Sequence, residues 1–405
     1  MLWVCMDPDL SALDDYLDDA GLDGYLVDAA GDDSTQRYLS GFDAPDPFTT
    51  VYTPETTAIL VSALEFGRAK PDSRAGDVSR LSDYDYRELA SESGSAAAKA
   101  RVVAAWLDDL GVDAVAAPDR FPVGPADRLR ERDVGIAPDT DDIVTGIRAR
   151  KTPEEVEHIR ETQRANEAAM RAAEALLGEA VVDAGGDEAP DDDAPVLRHD
   201  GEVLTSERVK VEIESTLLEA GCGLDETIVA CGADAADPHN RGGGPLRPDE
   251  PVIVDIFPRS KSTGYHADMT RTFLAGDPGD TVAEWFEHTH EALAAALDAV
   301  EPGVTGATVH DAACDAYEDA GLPTLRSDPT AETGFIHSTG HGVGLDVHEL
   351  PRVAPDGGEL RPGHVITIEP GLYDPTVGGV RIEDLVVVTE DGHETLTDYP
   401  VGLRV

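Results

Sequence analysis

Four carboxylates stand where apolar strands should run uninterrupted. Asp255 lies inside Pro251-Val-Ile-Val-Asp-Ile-Phe257, and Glu369 closes Val365-Ile-Thr-Ile just before Pro370-Gly371. Glu383 sits within Gly379-Val-Arg-Ile-Glu-Asp-Leu-Val-Val-Val388. Asp268 sits within Gly264-Tyr-His-Ala-Asp-Met-Thr-Arg-Thr-Phe273, which reads as a returning strand. Burying one unpaired carboxylate costs on the order of several kcal/mol. Any one of them alone reads as a salt-bridged or edge-strand acid. Convergence of all four changes the chemistry, because each like-charge pair ~4 Å apart costs about 4 kcal/mol at an effective dielectric near ~20. Bound cations offset that cost, and two divalent ions carry as much charge as the four acids. A neutral donor would complete the set. His341, in the glycine-rich run Ser338-Thr-Gly-His-Gly-Val-Gly344, is the candidate, since backbone can approach closely there. Mostly oxygen ligands with one imidazole suit Mn(II), Co(II) or Fe(II), with Zn(II) also compatible. Two such ions ~3.5–4 Å apart can activate water and polarise a carbonyl, the chemistry of two-metal hydrolases.

The elements that must position these residues begin near Ile147. Lys151-Thr-Pro-Glu-Glu155 predicts a helix start, with Thr152 as N-cap, Pro153 at the first helical position and acids in the first turn. That helix can run to about Leu177. Residues 185–200 are rich in Gly, Pro and Asp and read as an exposed, solvated loop. A second helix is expected over 206–220, stopped by Gly221, and beyond it the chain reads as strand-rich. Residues 1–148 read as an α/β domain. A helix over 10–20 leads into a strand at 24–27, with further strands at 57–61 and 113–117 and a helix over 96–110. Pro118, Pro122 and Pro125 then break the chain. No chemical motif marks this half, so a scaffold or dimerisation role is expected for 1–148 and the catalytic work falls to 149–405. No internal repeat is visible.

Composition excludes several function classes. The 405 residues carry 82 acids against 31 bases, a net charge of −51, and only five of the bases are lysines. Such a surface repels nucleic acid and anionic membranes. The acids are spread along the chain rather than gathered in a tail; the longest block of its loop is only 191–193. That distribution points to molar salt, where the Debye length shrinks from ~10 Å at ~0.1 M to ~3 Å at ~1 M. No run of about 18 uncharged apolar residues suggests a membrane span. Residues 1–10 lack the basic flank of a signal peptide and already hold Asp7 and Asp9. Cys5, Cys222, Cys231 and Cys314 form no CxxC pair, which fits reduced thiols in a cytoplasm.

At the acids and His341 the sequence resembles the pita-bread metallopeptidases, the group of prolidases, Xaa-Pro aminopeptidases, methionine aminopeptidases and creatinase. The group's ligand order of Asp, Asp, His, Glu, Glu falls here on Asp255, Asp268, His341, Glu369 and Glu383. The surrounding words match as well: Asp268-Met-Thr-Arg-Thr-Phe273, Gly340-His-Gly-Val-Gly-Leu-Asp-Val-His-Glu349, Glu369-Pro-Gly371 and Arg381-Ile-Glu-Asp384. The resemblance covers roughly 147–405 and implies an α+β pita-bread catalytic domain behind the α/β N-terminal domain. It implies a dinuclear hydrolase of short proline-containing peptides, as a dipeptidase or an aminopeptidase, in a homodimer. It gives Glu369 a proton-transfer role and makes His239 and His348 substrate and intermediate-stabilising histidines. Arg352, in His348-Glu-Leu-Pro-Arg352, resembles the prolidase arginine that binds a dipeptide's free carboxylate. Asp255 and Asp268 are separated by more residues than in many members, which suggests a longer hairpin through Phe257-Pro-Arg259, as in some Xaa-Pro aminopeptidases. Two other readings stay open: an amide hydrolase of a small molecule on the same fold, and a non-catalytic binding module on that scaffold.

Overall fold

The structure, a computed structural model, describes residues 8–183 and 195–405. Cys5, Asp7 and the acidic run at 191–193 lie outside the described residues. The chain forms two compact units, Met1–Arg148 and Ala149–Val405.

The first unit is built on one six-stranded mixed sheet. Its strands run in the order Asp77–Arg80, Thr57–Val61, Phe48–Tyr52, Gly24–Ala29, Ala114–Pro118, Gly135–Asp139. The central strands are apolar on both faces because helices cover both. Helix Ser95–Asp109 places Val102, Val103, Trp106 and Leu107 in one stripe against Leu26, Val51, Leu60 and Val115. Phe42, Phe48, Ile59, Val61 and Ala69 pack on the other side. Pro122 and Pro125 do not simply break the chain. Pro122 is the N-cap of helix Val123–Arg130, and Pro125 falls in its first turn, where a missing N–H costs nothing.

The second unit repeats one plan twice, a sheet backed by a helix pair, a relation its sequence does not disclose. In the first half, helices Pro153–Gly178 and Ser206–Glu219 pack on an antiparallel sheet of Ile228–Cys231, Val252–Ile256 and Met269–Phe273. The first helix starts as its sequence predicts: the Thr152 hydroxyl accepts from the Glu155 N–H and the Glu155 carboxylate accepts from the Thr152 N–H. In the second half, helices Gly279–Asp298 and Gly306–Asp319 cover an antiparallel sheet. Its order is Glu349–Val353, Gly340–Gly342, Val365–Ile368, Asp384–Thr389, Gly392–Thr395. These two helices correct the strand-rich expectation for everything beyond Gly221. Two smaller corrections follow. Strand Val196–His199 pairs with Val181–Asp183, so the loop expected over 185–200 ends in regular structure. Glu383 lies in the gap between strands Gly378–Arg381 and Asp384–Thr389 rather than inside one strand.

The few lysines are mostly engaged. Lys99 pairs with Asp28 at 2.6 Å, Lys210 donates to the Gly242 carbonyl at 2.9 Å, and Lys151 is buried against Glu349. Lys70 and Lys261 are exposed. Among the described residues no helix is long and apolar enough to cross a membrane.

Candidate metal centre

Strand periodicity puts the first two acids on one face. Asp255 is the cross-strand partner of Thr270, and Asp268 lies two residues before Thr270, so all three side chains emerge on the same side. In the other half, Thr367 and Glu369 are likewise two apart. The Thr367 hydroxyl accepts from the His341 N–H at 3.1 Å and donates to Glu369 at 3.3 Å. Glycine is required beside His341. A Cβ on Gly340 would lie 2.0 Å from the Thr367 carbonyl oxygen, and one on Gly342 would lie 2.1 Å from that of Leu350. Thr270 joins the halves: its carbonyl accepts the Glu383 N–H at 3.1 Å, and its hydroxyl donates to the Glu383 carboxylate at 2.7 Å.

The five expected ligands therefore meet. Single ligand atoms of Asp268, His341 and Glu383 lie within 4.8 Å of one another, and His341 Nε2 is 3.4 Å from Glu369 and 3.7 Å from Asp268. Asp255 is held by Arg381 at 2.5 Å through one oxygen. Its other oxygen, Oδ1, is buried without a hydrogen-bond partner. One guanidinium against four carboxylates leaves most of the negative charge unmatched. Burial, then Glu383, Asp255 and Glu369, push the Asp268 carboxyl well above the usual carboxylate range. Burial and the Glu369 charge do the same to Glu383, and burial pushes Glu369 up to about 7.

His341 shows what the cluster fits. Burial, then the nearby His348, lower its pKa to about 3, so the ring is neutral. Its Nδ1 lies 3.1 Å from the Gly342 carbonyl, which sets the proton on Nδ1 and leaves the Nε2 lone pair facing two carboxylates. A lone pair aimed at anions and an orphaned buried carboxylate oxygen both call for a cation. The donor set of four carboxylates and one imidazole fits divalent metal ions.

The histidines expected at the substrate lie at the rim. The His348 ring is exposed, 4.1 Å centroid to centroid from His341, and the exposed His239 acts electrostatically on His348. Arg352 lies on the exposed face of Glu349–Val353, paired with Asp356 at 2.8 Å. Among the described residues, its ion pair is with Asp356 and not with the expected ligands.

Sequence reasoning passed over Thr270, Thr367, His337, Tyr373 and Arg381. Arg381 donates to Tyr373 Oη at 3.0 Å, and that hydroxyl donates to His337 Nε2 at 3.0 Å. His337 Nδ1 donates to its neighbour's carbonyl at 2.7 Å, so the chain of donors ends on backbone. The available signal was the spacing: Arg381, Thr367 and Thr270 each lie in a strand two residues from an expected ligand at or just beyond that strand's end, Glu383, Glu369 and Asp268.

Comparison with known proteins agrees with this geometry. Residues 157–390 match the model of metallopeptidase family M24, and residues 10–132 match the creatinase/prolidase N-terminal domain. The chain is 39% identical over 211 residues to a protein named probable dipeptidase PepE of Mycobacterium tuberculosis, covering 50% of this chain and 54% of that one. It is 33% identical over 259 residues to a Xaa-Pro dipeptidase of Pyrococcus furiosus, covering 64% and 65%. The matched stretch thus spans about half the length of the mycobacterial relative. The solved prolidase of Pyrococcus horikoshii superposes over 97% of this chain and 99% of its own, with a TM-score of 0.75 and 25% identity. Convergent carboxylates, a neutral imidazole among them and these matches lead to one assignment: the chain belongs to metallopeptidase family M24, with a pita-bread unit behind a creatinase/prolidase-type N-terminal domain.

Proposed function

We propose that the chain is a dinuclear-metal hydrolase that cleaves the peptide bond next to proline in short peptides, acting as a Xaa-Pro dipeptidase. The observation that carries this reading is the unmatched negative charge of four converging carboxylates around a neutral His341. The names of the relatives support the choice of substrate. Asp255, Asp268, His341, Glu369 and Glu383 would hold two divalent ions, Mn(II) or Co(II) by donor type. Such ions supply positive charge that polarises a scissile carbonyl and acidifies water. Glu369, oriented by Thr367, takes the water's proton and passes it to the leaving nitrogen, as a carboxylate within reach of both can. His348 and His239 donate hydrogen bonds to the oxygens of the tetrahedral species from the rim. Arg352 exchanges its exposed partner Asp356 for the free carboxylate of a dipeptide.

The charge balance supports adaptation to molar salt, the free thiols of Cys222, Cys231 and Cys314 support a cytoplasmic setting, and the family resemblance supports a homodimer. Its melting temperature should rise steeply between about 0.1 M and about 3 M KCl as screening tightens; a flat profile contradicts the adaptation. The activity test is a panel of Xaa-Pro dipeptides, Xaa-Pro-Xaa tripeptides and methionyl peptides in high salt with added Mn(II) or Co(II). Turnover of Xaa-Pro above the others is expected. Metal binding with no peptide turned over would favour a small-molecule amide hydrolase.

A further inference from the structure

One fully engaged and deeply buried side chain of the second unit is not among the expected ligands. Arg271 follows Thr270 in strand Met269–Phe273, and its side chain is 1% exposed. A guanidinium has five N–H donors, and every one is used here. Nε donates to the Pro400 carbonyl at 3.1 Å. Nη1 donates to the carbonyls of Thr270 at 2.9 Å and Glu383 at 2.6 Å. Nη2 donates to the Asp384 carboxylate at 2.8 Å and the Tyr399 carbonyl at 2.9 Å. The Tyr399 ring lies 5.6 Å from the guanidinium carbon.

These acceptors belong to three separate stretches of chain. Thr270 belongs to the strand led in by Asp268, Glu383 is a ligand from the other half, and Tyr399–Pro400 belongs to the last segment. That segment is tied to the same strand a second time, since the Leu274 N–H donates to the Leu403 carbonyl at 2.7 Å and the Val405 N–H to the Leu274 carbonyl at 3.3 Å. The Thr270 carbonyl accepts from both Arg271 and the Glu383 N–H, so one lone pair crosses to the other half and the second holds the Nη1 group that also reaches the Glu383 carbonyl.

Building on the metal-dependent reading above, we infer that Arg271 is a positioning residue that fixes the separation of Asp268 and Glu383, with the 399–405 segment as its anchor. It touches no reacting atom. Backbone oxygens of a strand and of an inter-strand gap can drift relative to each other. A planar fork bound to both, and braced from behind by three further acceptors, sets their spacing. A lysine carries charge and donors to this place but not the fork.

The test is Mn(II) binding to the metal-free full-length protein in high salt, by titration calorimetry and by the spin coupling between two bound Mn(II) ions. Arg271→Lys should weaken at least one site by about 10- to 100-fold, the range for losing a group that orients a metal ligand, and should alter the coupling. The control is Leu217→Ala, a cavity in the helix pair with a comparable fall in melting temperature, which should leave both sites at parental affinity. Parental affinity and coupling in Arg271→Lys overturn the inference, as does an equal loss in Leu217→Ala. If Arg271→Lys does not fold, Asp384→Asn decides, since it removes only the charged acceptor; weakened Mn(II) binding upholds the inference and unchanged binding overturns it. A parent protein that binds no Mn(II), Co(II) or other divalent ion sinks the metal-dependent reading itself, an outcome distinct from the others.

Discussion

Each unit of the chain buries carboxylate at the end or in the middle of a strand, and the two treat it in opposite ways. In the N-terminal unit Asp139 is 1% exposed and well supplied with donors. The Tyr25 hydroxyl donates to it at 3.0 Å, and the N–H groups of Asp141 and Ile143 donate at 3.1 and 3.0 Å. Its charge is felt by its partner: burial and then Asp139 raise the Tyr25 pKa far above its usual value. In the C-terminal unit Asp255, Asp268, Glu369 and Glu383 face one another, share a single arginine and leave one buried oxygen with no donor. A buried acid is thus not a functional signal by itself. What separates structure from chemistry is whether donors in the protein match the charge or a ligand from outside must.

Substitutions at the two places should separate most sharply at Asp268. Asp268→Ala should take turnover below detection and abolish metal loading together, because it removes a ligand and leaves the remaining carboxylates opposed; near-normal turnover with two bound metals would remove Asp268 from the site. At the rim the effect should be large but confined to rate. His348→Ala should retain both metals by elemental analysis and lose about 10²- to 10³-fold in kcat, the range for one intermediate-stabilising donor. Metal loss in that variant would make His348 a ligand and displace His341. Arg352→Ala should raise KM for Xaa-Pro over KM for Xaa-Pro-Xaa by about 1.5–3 kcal/mol of charge-assisted hydrogen bonding. Equal changes on both substrates would make the residue structural and shift the assignment to an aminopeptidase. In the N-terminal unit the smallest effect is expected. Asp139→Asn should cost about 1–3 kcal/mol of stability by mispairing a donor, with metal content untouched; metal loss there would break the contrast between the units.

The converging acids were legible because a carboxylate inside Val-Ile-Val or closing Val-Ile-Thr-Ile contradicts its surroundings, and contradiction is what a sequence displays. The supports were not, because they agree with theirs. Thr270 and Thr367 are ordinary strand residues, Tyr373 in Gly371-Leu-Tyr-Asp374 looks like core, and Arg381 and Arg271 could each have been a surface arginine. Their roles depend on which strands meet, information that lies in register between segments more than a hundred residues apart, as for Arg381 and Asp255. Helix Gly279–Asp298 was missed for a different reason. Its buried Val282, Phe286, Thr289, Leu293 and Ala296 keep helical spacing, but alanine and acids between them blur the stripe. The N-terminal sheet was partly legible as apolar strands, whereas its order, with Gly24–Ala29 between antiparallel Phe48–Tyr52 and parallel Ala114–Pro118, could not be read.

The engaged lysines leave an unusual handle for measurement. Of five side-chain amines, those of Lys99, Lys151 and Lys210 are occupied by Asp28, Glu349 and the Gly242 carbonyl. The two exposed ones fall on different units, Lys70 on the first and Lys261 on the second. Once the more acidic α-amine of the chain is capped near neutral pH, amine-reactive dyes should favour one lysine per unit, Lys70 and Lys261, giving a two-point ruler without cysteine engineering. Energy transfer between a donor and an acceptor placed there would report the separation of the units in solution, and any change in it when metal or a proline peptide is added.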